Sequence, residues 1–152
     1  MVEISLSEAE EDEAAKVVLA GLGAFNEQVA GPHGFRPLNL VVRREPGGTP
    51  AGGLIGHTLY RWLFVRLFYL PEDLRRGGLG AQLLRQAEDE ARRRGCIGAW
   101  LDTFSFQARP FYEKQGYTVF GTLDDQPPGG HRHFLMKRLD GAPPGRDSHV
   151  PT

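Results

Sequence analysis

The hydrophobic patterning of this chain predicts an α/β fold: a single domain built on a mixed, mostly antiparallel sheet of seven strands flanked by helices. Two observations carry that expectation. Strand-like runs fill most of residues 38–70, then a helical period takes over at Leu79 and strand-like runs return at Cys96. A turn crowded with glycines, Gly77, Gly78 and Gly80, joins the last strand of the first group to the helix. A length of 152 residues agrees, being enough for one core and too little for two ordinary domains.

In order along the chain, residues 2–6 alternate as a first strand, and Ser7 followed by Glu10 has the spacing of a capping box that opens a helix. Ala15, Val18, Leu22 and Phe25 give that helix one apolar stripe, while Gly21 and Gly23 predict a bend. The acidic cluster Glu8, Glu10, Glu11, Asp12 and Glu13 falls in the expected first turns, where the helix dipole favours negative charge. Three strands follow at 38–44, 51–60 and 61–70, the first two separated by the turn Pro46-Gly47-Gly48-Thr49-Pro50, which reads as an antiparallel meander. From Leu79 onward Leu83, Leu84, Ala87 and Ala91 make an inner face, with Glu88 and Arg92, and Glu90 and Arg94, as outward pairs one turn apart. Gly95 ends the helix. Residues 96–101 form the fifth strand, 107–114 a short helix closed by Gly116, and 117–122 and 131–139 the last two strands. The stretch 140–152, with three prolines and no apolar cluster, reads as a flexible tail.

Bulk properties exclude some functions. A formal net charge of -1 provides no global field to hold nucleic acid or an anionic membrane, so any anion site must be local. Residues 62–70, the longest apolar run, are interrupted by Arg66 and fall far short of the ~20 residues that span a bilayer. A single cysteine, Cys96, and an amino terminus without a basic, apolar leader pattern point to the cytoplasm. Cys96 lies between a helix end and an apolar strand, the setting of a buried and unreactive thiol.

The chemistry concentrates in Pro71-Glu72-Asp73-Leu74-Arg75-Arg76-Gly77-Gly78-Leu79-Gly80. Without side chains at its glycines, such a turn lets backbone N–H groups approach a phosphate, and the positive end of the following helix adds attraction. Arg75 and Arg76 add local positive charge. A nucleoside-triphosphate loop is ruled out by the lack of Gly-Lys-Ser/Thr, and a dinucleotide fingerprint by Leu83 at the place of its third glycine.

This stretch resembles the Arg/Gln-x-x-Gly-x-Gly/Ala signature of the GNAT family of N-acetyltransferases, with Arg75, Gly78 and Gly80 at the defined positions. Ala108-Arg109-Pro110-Phe111-Tyr112-Glu113-Lys114-Gln115-Gly116-Tyr117 resembles a second pattern of that family, in the right order and about thirty residues downstream. The resemblance implies an acyl-CoA N-acyltransferase fold over residues 1–139, its sheet splayed between strands four and five, here 61–70 and 96–101, with the pantetheine arm of coenzyme A in the opening. It implies that the backbone of Phe68, Tyr69 and Leu70 holds the pantetheine, and that the amides of Arg76, Gly77, Gly78, Leu79, Gly80 and Ala81 hold the pyrophosphate, with Arg75 beside them. Tyr112 matches the usual general acid, a phenol of ordinary pKa near ~10 facing a departing thiolate whose thiol ionises around 8.5 on the cysteine scale. Many relatives place an asparagine before the short helix to contact the cofactor. Here Gln107 stands as the substitute amide donor.

The implied activity is direct transfer of an acetyl group from acetyl-CoA to a primary amine of a small molecule or protein, without a metal. The alternative is an acyl-CoA-binding sensor or assembly module without turnover. No motif fixes the general base: Asp102 at the end of the fifth strand is the best-placed carboxylate, and a strand-end cap is the competing reading. Arg66 either faces the acceptor, selecting an anionic one, or is an outward, solvated arginine. His131 and His133 share one strand face with Arg132 opposite; no ligand set completes a metal site around them, and His131 is a candidate for the acceptor site. Exposed strand edges are compatible with a homodimer.

Overall fold

A computed structural model describes residues 1–143 of the chain; the proposed tail falls largely outside the described residues. Its contacts divide into two compact units, one of Met1–His33 and one beginning at Gly34 that holds the whole sheet.

In the first unit, helix α1 spans Glu13–Ala30. It starts later than the Ser7 spacing predicts. Asp12 is the N-cap, its side chain accepting from the Ala15 N–H at 2.7 Å, while the Ser7 hydroxyl donates to the other Asp12 oxygen at 2.9 Å. Ser7 thus supports the cap instead of supplying it, and of the acidic cluster only Glu13 lies in the first turn. The expected bend is absent, because Gly21 and Gly23 both keep helical backbone angles and the helix runs unbroken to a left-handed Gly31. Residues 2–6 form no strand, so the described residues hold six strands where seven were expected. Alternation makes a strand only where a neighbouring edge accepts its hydrogen bonds, and none pairs with this segment.

In the second unit, β1 (Arg36–Arg43), β2 (Pro50–Leu59) and β3 (Trp62–Tyr69) form the meander. A 3₁₀ turn, Glu72–Leu74, leads to α2 (Leu79–Arg93), β4 (Gly98–Phe104), α3 (Arg109–Lys114), β5 (Thr118–Asp124) and β6 (His131–Arg138). The sheet order is β1-β2-β3-β4-β6-β5, antiparallel except between β3 and β4, where the α2 crossover makes the pair parallel. Leu54, Leu63, Leu101 and Leu135, all essentially inaccessible, line one sheet face. Leu84, Ala87 and Ala91 of α2 and Tyr112 of α3 complete that core. The alanines let α2 approach the sheet closely, and each buried leucine contributes about 1.5–3 kcal/mol.

The sheet opens where the resemblance implies. β3 and β4 pair from Trp62↔Gly98 to Val65↔Leu101 and no further. Beyond that rung each strand stays with its other neighbour: Leu67, Phe68 and Tyr69 with β2, and Asp102, Thr103 and Phe104 with β6. Arg66 is the hinge, an extra residue with no β2 counterpart, since Val65 faces Gly56 and Leu67 faces Ile55. Such a bulge bends its strand, and here it turns the end of β3 away from β4. No helix among the described residues is long and apolar enough to cross a membrane.

Candidate active site

The turn after β3 is fixed to the strand it leaves. Arg75 folds back so that its Nε donates to the Leu70 carbonyl at 2.7 Å and its guanidinium lies over the Tyr69 ring at 5.8 Å. Arg75 therefore anchors the turn, although it is exposed, as are Arg76 and Gly77. On the other side of the turn Arg44 forms a two-pronged ion pair with Asp73, whose carboxyl is held below its usual range by hydrogen bonding to Arg44. Arg76 and Gly78 both take left-handed angles, φ 67° and 83°, which direct the chain into α2. Gly78 is the N-cap and has no side chain to bond the helix start. The first helical hydrogen bond runs from Gln82 N to Gly78 O at 3.0 Å, so the N–H groups of Leu79, Gly80 and Ala81 lie ahead of the ladder. No acidic side chain occupies this first turn. The result is a row of unclaimed amides at the positive end of a helix, a seat for an anion.

α3 brings the phenol. Tyr112 is 8% exposed, and its ring packs edge-on against Phe68 at 6.4 Å, Phe111 at 5.2 Å and Tyr117 at 6.2 Å. Burial, and then the negative charge of Asp102, push its pKa up to about 12. The amide turn, the end of β3 and α3 converge here: a Cβ on Gly80 would stand 3.4 Å from the Phe111 ring and 3.8 Å from Leu70. Gln107 follows the end of β4. Its Oε1 accepts from the Thr103 hydroxyl at 3.0 Å and from Phe104 N–H at 2.7 Å, which leaves the amide NH₂ as the donating end.

The acceptor-side candidates are more dispersed. Oδ1 of Asp102 accepts from both Nε and Nη2 of Arg132 at 2.9 Å, and the Arg132 guanidinium lies over Phe104 and Phe134 at 5.6 and 5.2 Å. Arg66 is exposed on the bulge, close enough that its charge adds to burial in lowering the pKa of His57. His131 pairs with Asp124 at 2.9 Å at the turn between β5 and β6. His133 is buried on the same strand face, its Nδ1 3.1 Å from the Thr122 hydroxyl and its ring 5.9 Å from that of His131. The Cys96 thiol is buried and pushed up by desolvation, hence a poor nucleophile.

The model of the acetyltransferase (GNAT) family matches residues 6–117, a span that contains the anion turn, the splay and Tyr112. The chain belongs to the GNAT family. An acetyltransferase of Agrobacterium fabrum is 39% identical over 134 residues, covering 88% of this chain and 97% of that protein. A blasticidin-S acetyltransferase of Streptomyces morookaense is 41% identical over 107 residues, covering 68% of this chain and 79% of that protein. Among solved structures, an acetyltransferase from Bacillus cereus superposes with a TM-score of 0.76 at 31% identity, covering 88% of this chain and 97% of that one. This GNAT protein is an N-acetyltransferase.

Of the residues singled out in the sequence of this GNAT enzyme, Phe68, Leu70, Gly80 and Tyr112 meet in one place, and Asp102 is near enough for Tyr112 to feel its charge. Arg66 lies on the β3 bulge, and His131 belongs to the β5–β6 turn. A further expectation fails here. Glu88 does not pair outward with Arg92, which instead bonds Asp89 at 3.1 Å; Glu88 turns inward, 2% exposed, between Tyr117 and Lys137. The signal was present in the spacing, since position 88 lies four residues after Leu84 and three before Ala91, inside the apolar stripe. Glu90 does pair with Arg94, at 3.1 Å.

Proposed function

We propose that this enzyme moves an acetyl group from acetyl-CoA directly to a primary amine, in the cytoplasm, with a small molecule as the acceptor. The observation that carries the reading is the single opening between β3 and β4, with uncapped amides at one end and a buried, protonated phenol beside it. A pyrophosphate takes the amides of Leu79, Gly80 and Ala81, and a pantetheine arm takes the free backbone edge at Phe68 and Tyr69. The acceptor class rests on the name of the blasticidin-S relative.

In this reading the amine nitrogen attacks the thioester carbonyl carbon, a C–N bond forms, and the C–S bond breaks. Backbone near Tyr69 polarises the carbonyl oxygen. Tyr112 acts on the sulfur. Complete transfer from a phenol near 12 to a thiolate whose thiol ionises around 8.5 runs uphill, so its contribution is a hydrogen bond to sulfur as negative charge develops there. Asp102 takes the proton shed by the amine through Oδ2, since Arg132 occupies Oδ1. Gln107 donates its amide to the cofactor, and Arg66 and His131 border the acceptor.

The test is calorimetric titration with acetyl-CoA, then thiol release across a panel of amines that includes blasticidin S, for the native enzyme, Tyr112→Phe and Asp102→Asn. We expect saturable binding in all three, with kcat lower by about a hundredfold in Tyr112→Phe and by a similar factor in Asp102→Asn. Full turnover by Tyr112→Phe would remove the phenol from the mechanism, and absence of acetyl-CoA binding would overturn the reading of the amide turn.

A further inference from the structure

Glu88 is a buried charge that the transfer chemistry leaves unused. Its Oε2 accepts from the Tyr117 hydroxyl at 2.8 Å and its Oε1 from Lys137 Nζ at 2.8 Å. Taking the Glu88 carboxylate out of water costs several kcal/mol while Lys137 stays partly exposed, and apolar residues in place of such pairs are often equally stable or more so. Here an apolar residue at 88 would simply extend the stripe of Leu84, Ala87 and Ala91. Such a residue would, however, leave the buried Tyr117 hydroxyl without the acceptor that Glu88 supplies.

What the carboxylate achieves is to fix Tyr117. The hydroxyl is held by Glu88, and Lys137 Nζ stands 5.8 Å from the ring centroid, so the side chain is gripped at its tip and on its face. Tyr117 in turn grips Tyr112 twice. Its N–H donates to the Tyr112 carbonyl at 3.1 Å, and the two rings meet edge-on at 73°. Burial, reinforced by Glu88, keeps the Tyr117 phenol well above its ordinary pKa and so always able to donate.

We infer that Glu88 is a positioning residue: acting through Tyr117, it sets where Tyr112 stands relative to the amide turn at the start of the same helix. Leu79 and Glu88 are nine residues apart on α2, about 14 Å of helix. One rigid element thereby spaces the seat for the cofactor's phosphates from the phenol that meets its sulfur. The inference rests on the role proposed for Tyr112.

A double-mutant cycle tests it, using acetyl-CoA and the panel amine with the highest kcat/KM. Glu88→Gln and Tyr117→Phe are each measured in the native enzyme and in Tyr112→Phe. We expect each to lower kcat about tenfold in the native background with KM for acetyl-CoA within about twofold, as a small misplacement of a reacting group does. In the Tyr112→Phe background neither produces a further loss, because the group they position is gone. Equal losses in both backgrounds, or an unchanged kcat, would overturn the inference. Should Glu88→Gln fail to fold, Tyr117→Phe decides alone, since it removes one oxygen and leaves the Glu88–Lys137 pair. The two readings fail differently: full turnover by Tyr112→Phe removes both, whereas its collapse beside a silent Tyr117→Phe removes only the role of Glu88.

Discussion

Tyr112 shows how a motif residue takes its ionisation behaviour from its surroundings. The phenol is raised to about 12, first by burial and then by Asp102, so the neutral form persists across the range in which an amine acceptor becomes deprotonated. The sign follows directly. For a group whose neutral form is active, raising the pKa extends activity to higher pH, so kcat/KM should climb as the amine loses its proton and then stay level past pH ~10. A descending limb near pH 10 in the native enzyme, absent from the residual rate of Tyr112→Phe, would mean an ordinary, solvated phenol and would defeat this account. The resemblance of residues 108–117 to a family pattern pointed to Tyr112, and the place just before the short helix to Gln107. The Arg132 partner of Asp102 was not legible, because it arrives from a strand 30 residues away and depends on the Asp102↔Phe134 register.

At the scale of elements, a glycine faces the bulge at which the sheet opens. Gly56 pairs with Val65, and a Cβ there would lie 2.3 Å from the Phe64 carbonyl oxygen. A backbone atom cannot rotate away as a side chain does, so Gly56→Ala must move β3 just where Arg66 bends it. We expect a loss of about 2 kcal/mol in urea unfolding and weaker acetyl-CoA binding. Gly77→Ala is the contrast: its Cβ would meet nothing within 4 Å, and unfolding should shift by no more than about 0.5 kcal/mol. Stability equal to the native protein in Gly56→Ala would show that β2 and β3 tolerate separation at the bulge. Most elements were readable, because the period changes from strand to helix at Leu79 and back near Gly98 are local. The first strand was misread because alternation in residues 2–6 cannot reveal whether a neighbour exists, and Arg66, though it interrupts an apolar run, does not by itself signal a bulge. Glu88 was misassigned because its charge outweighed its position in the stripe.

For the molecule as a whole, the buried phenols predict an asymmetric dependence of stability on pH. Tyr112 and Tyr117 both have folded-state pKa values above the ordinary 10, so each contributes stability that is complete below about pH 10 and is lost as pH rises toward the folded value. In that window the unfolded chain sheds protons that the folded one keeps, which costs about 1.4 kcal/mol per pH unit for each phenol. On the acid side the groups held low, Asp12, Asp73, Glu90 and Asp140, contribute stability that is lost as pH falls below their unfolded values near 4, but they face solvent, which screens them. Thermal midpoints measured from pH 4 to 11 should therefore vary little through the neutral range and fall steeply above 10. Tyr117→Phe should begin lower at neutral pH, having lost the Glu88 hydrogen bond, yet fall less steeply above 10 because one of the two phenols is gone. Parallel alkaline limbs in the two proteins would mean that Tyr117 ionises as freely folded as unfolded, which is incompatible with the grip of Glu88 on its hydroxyl.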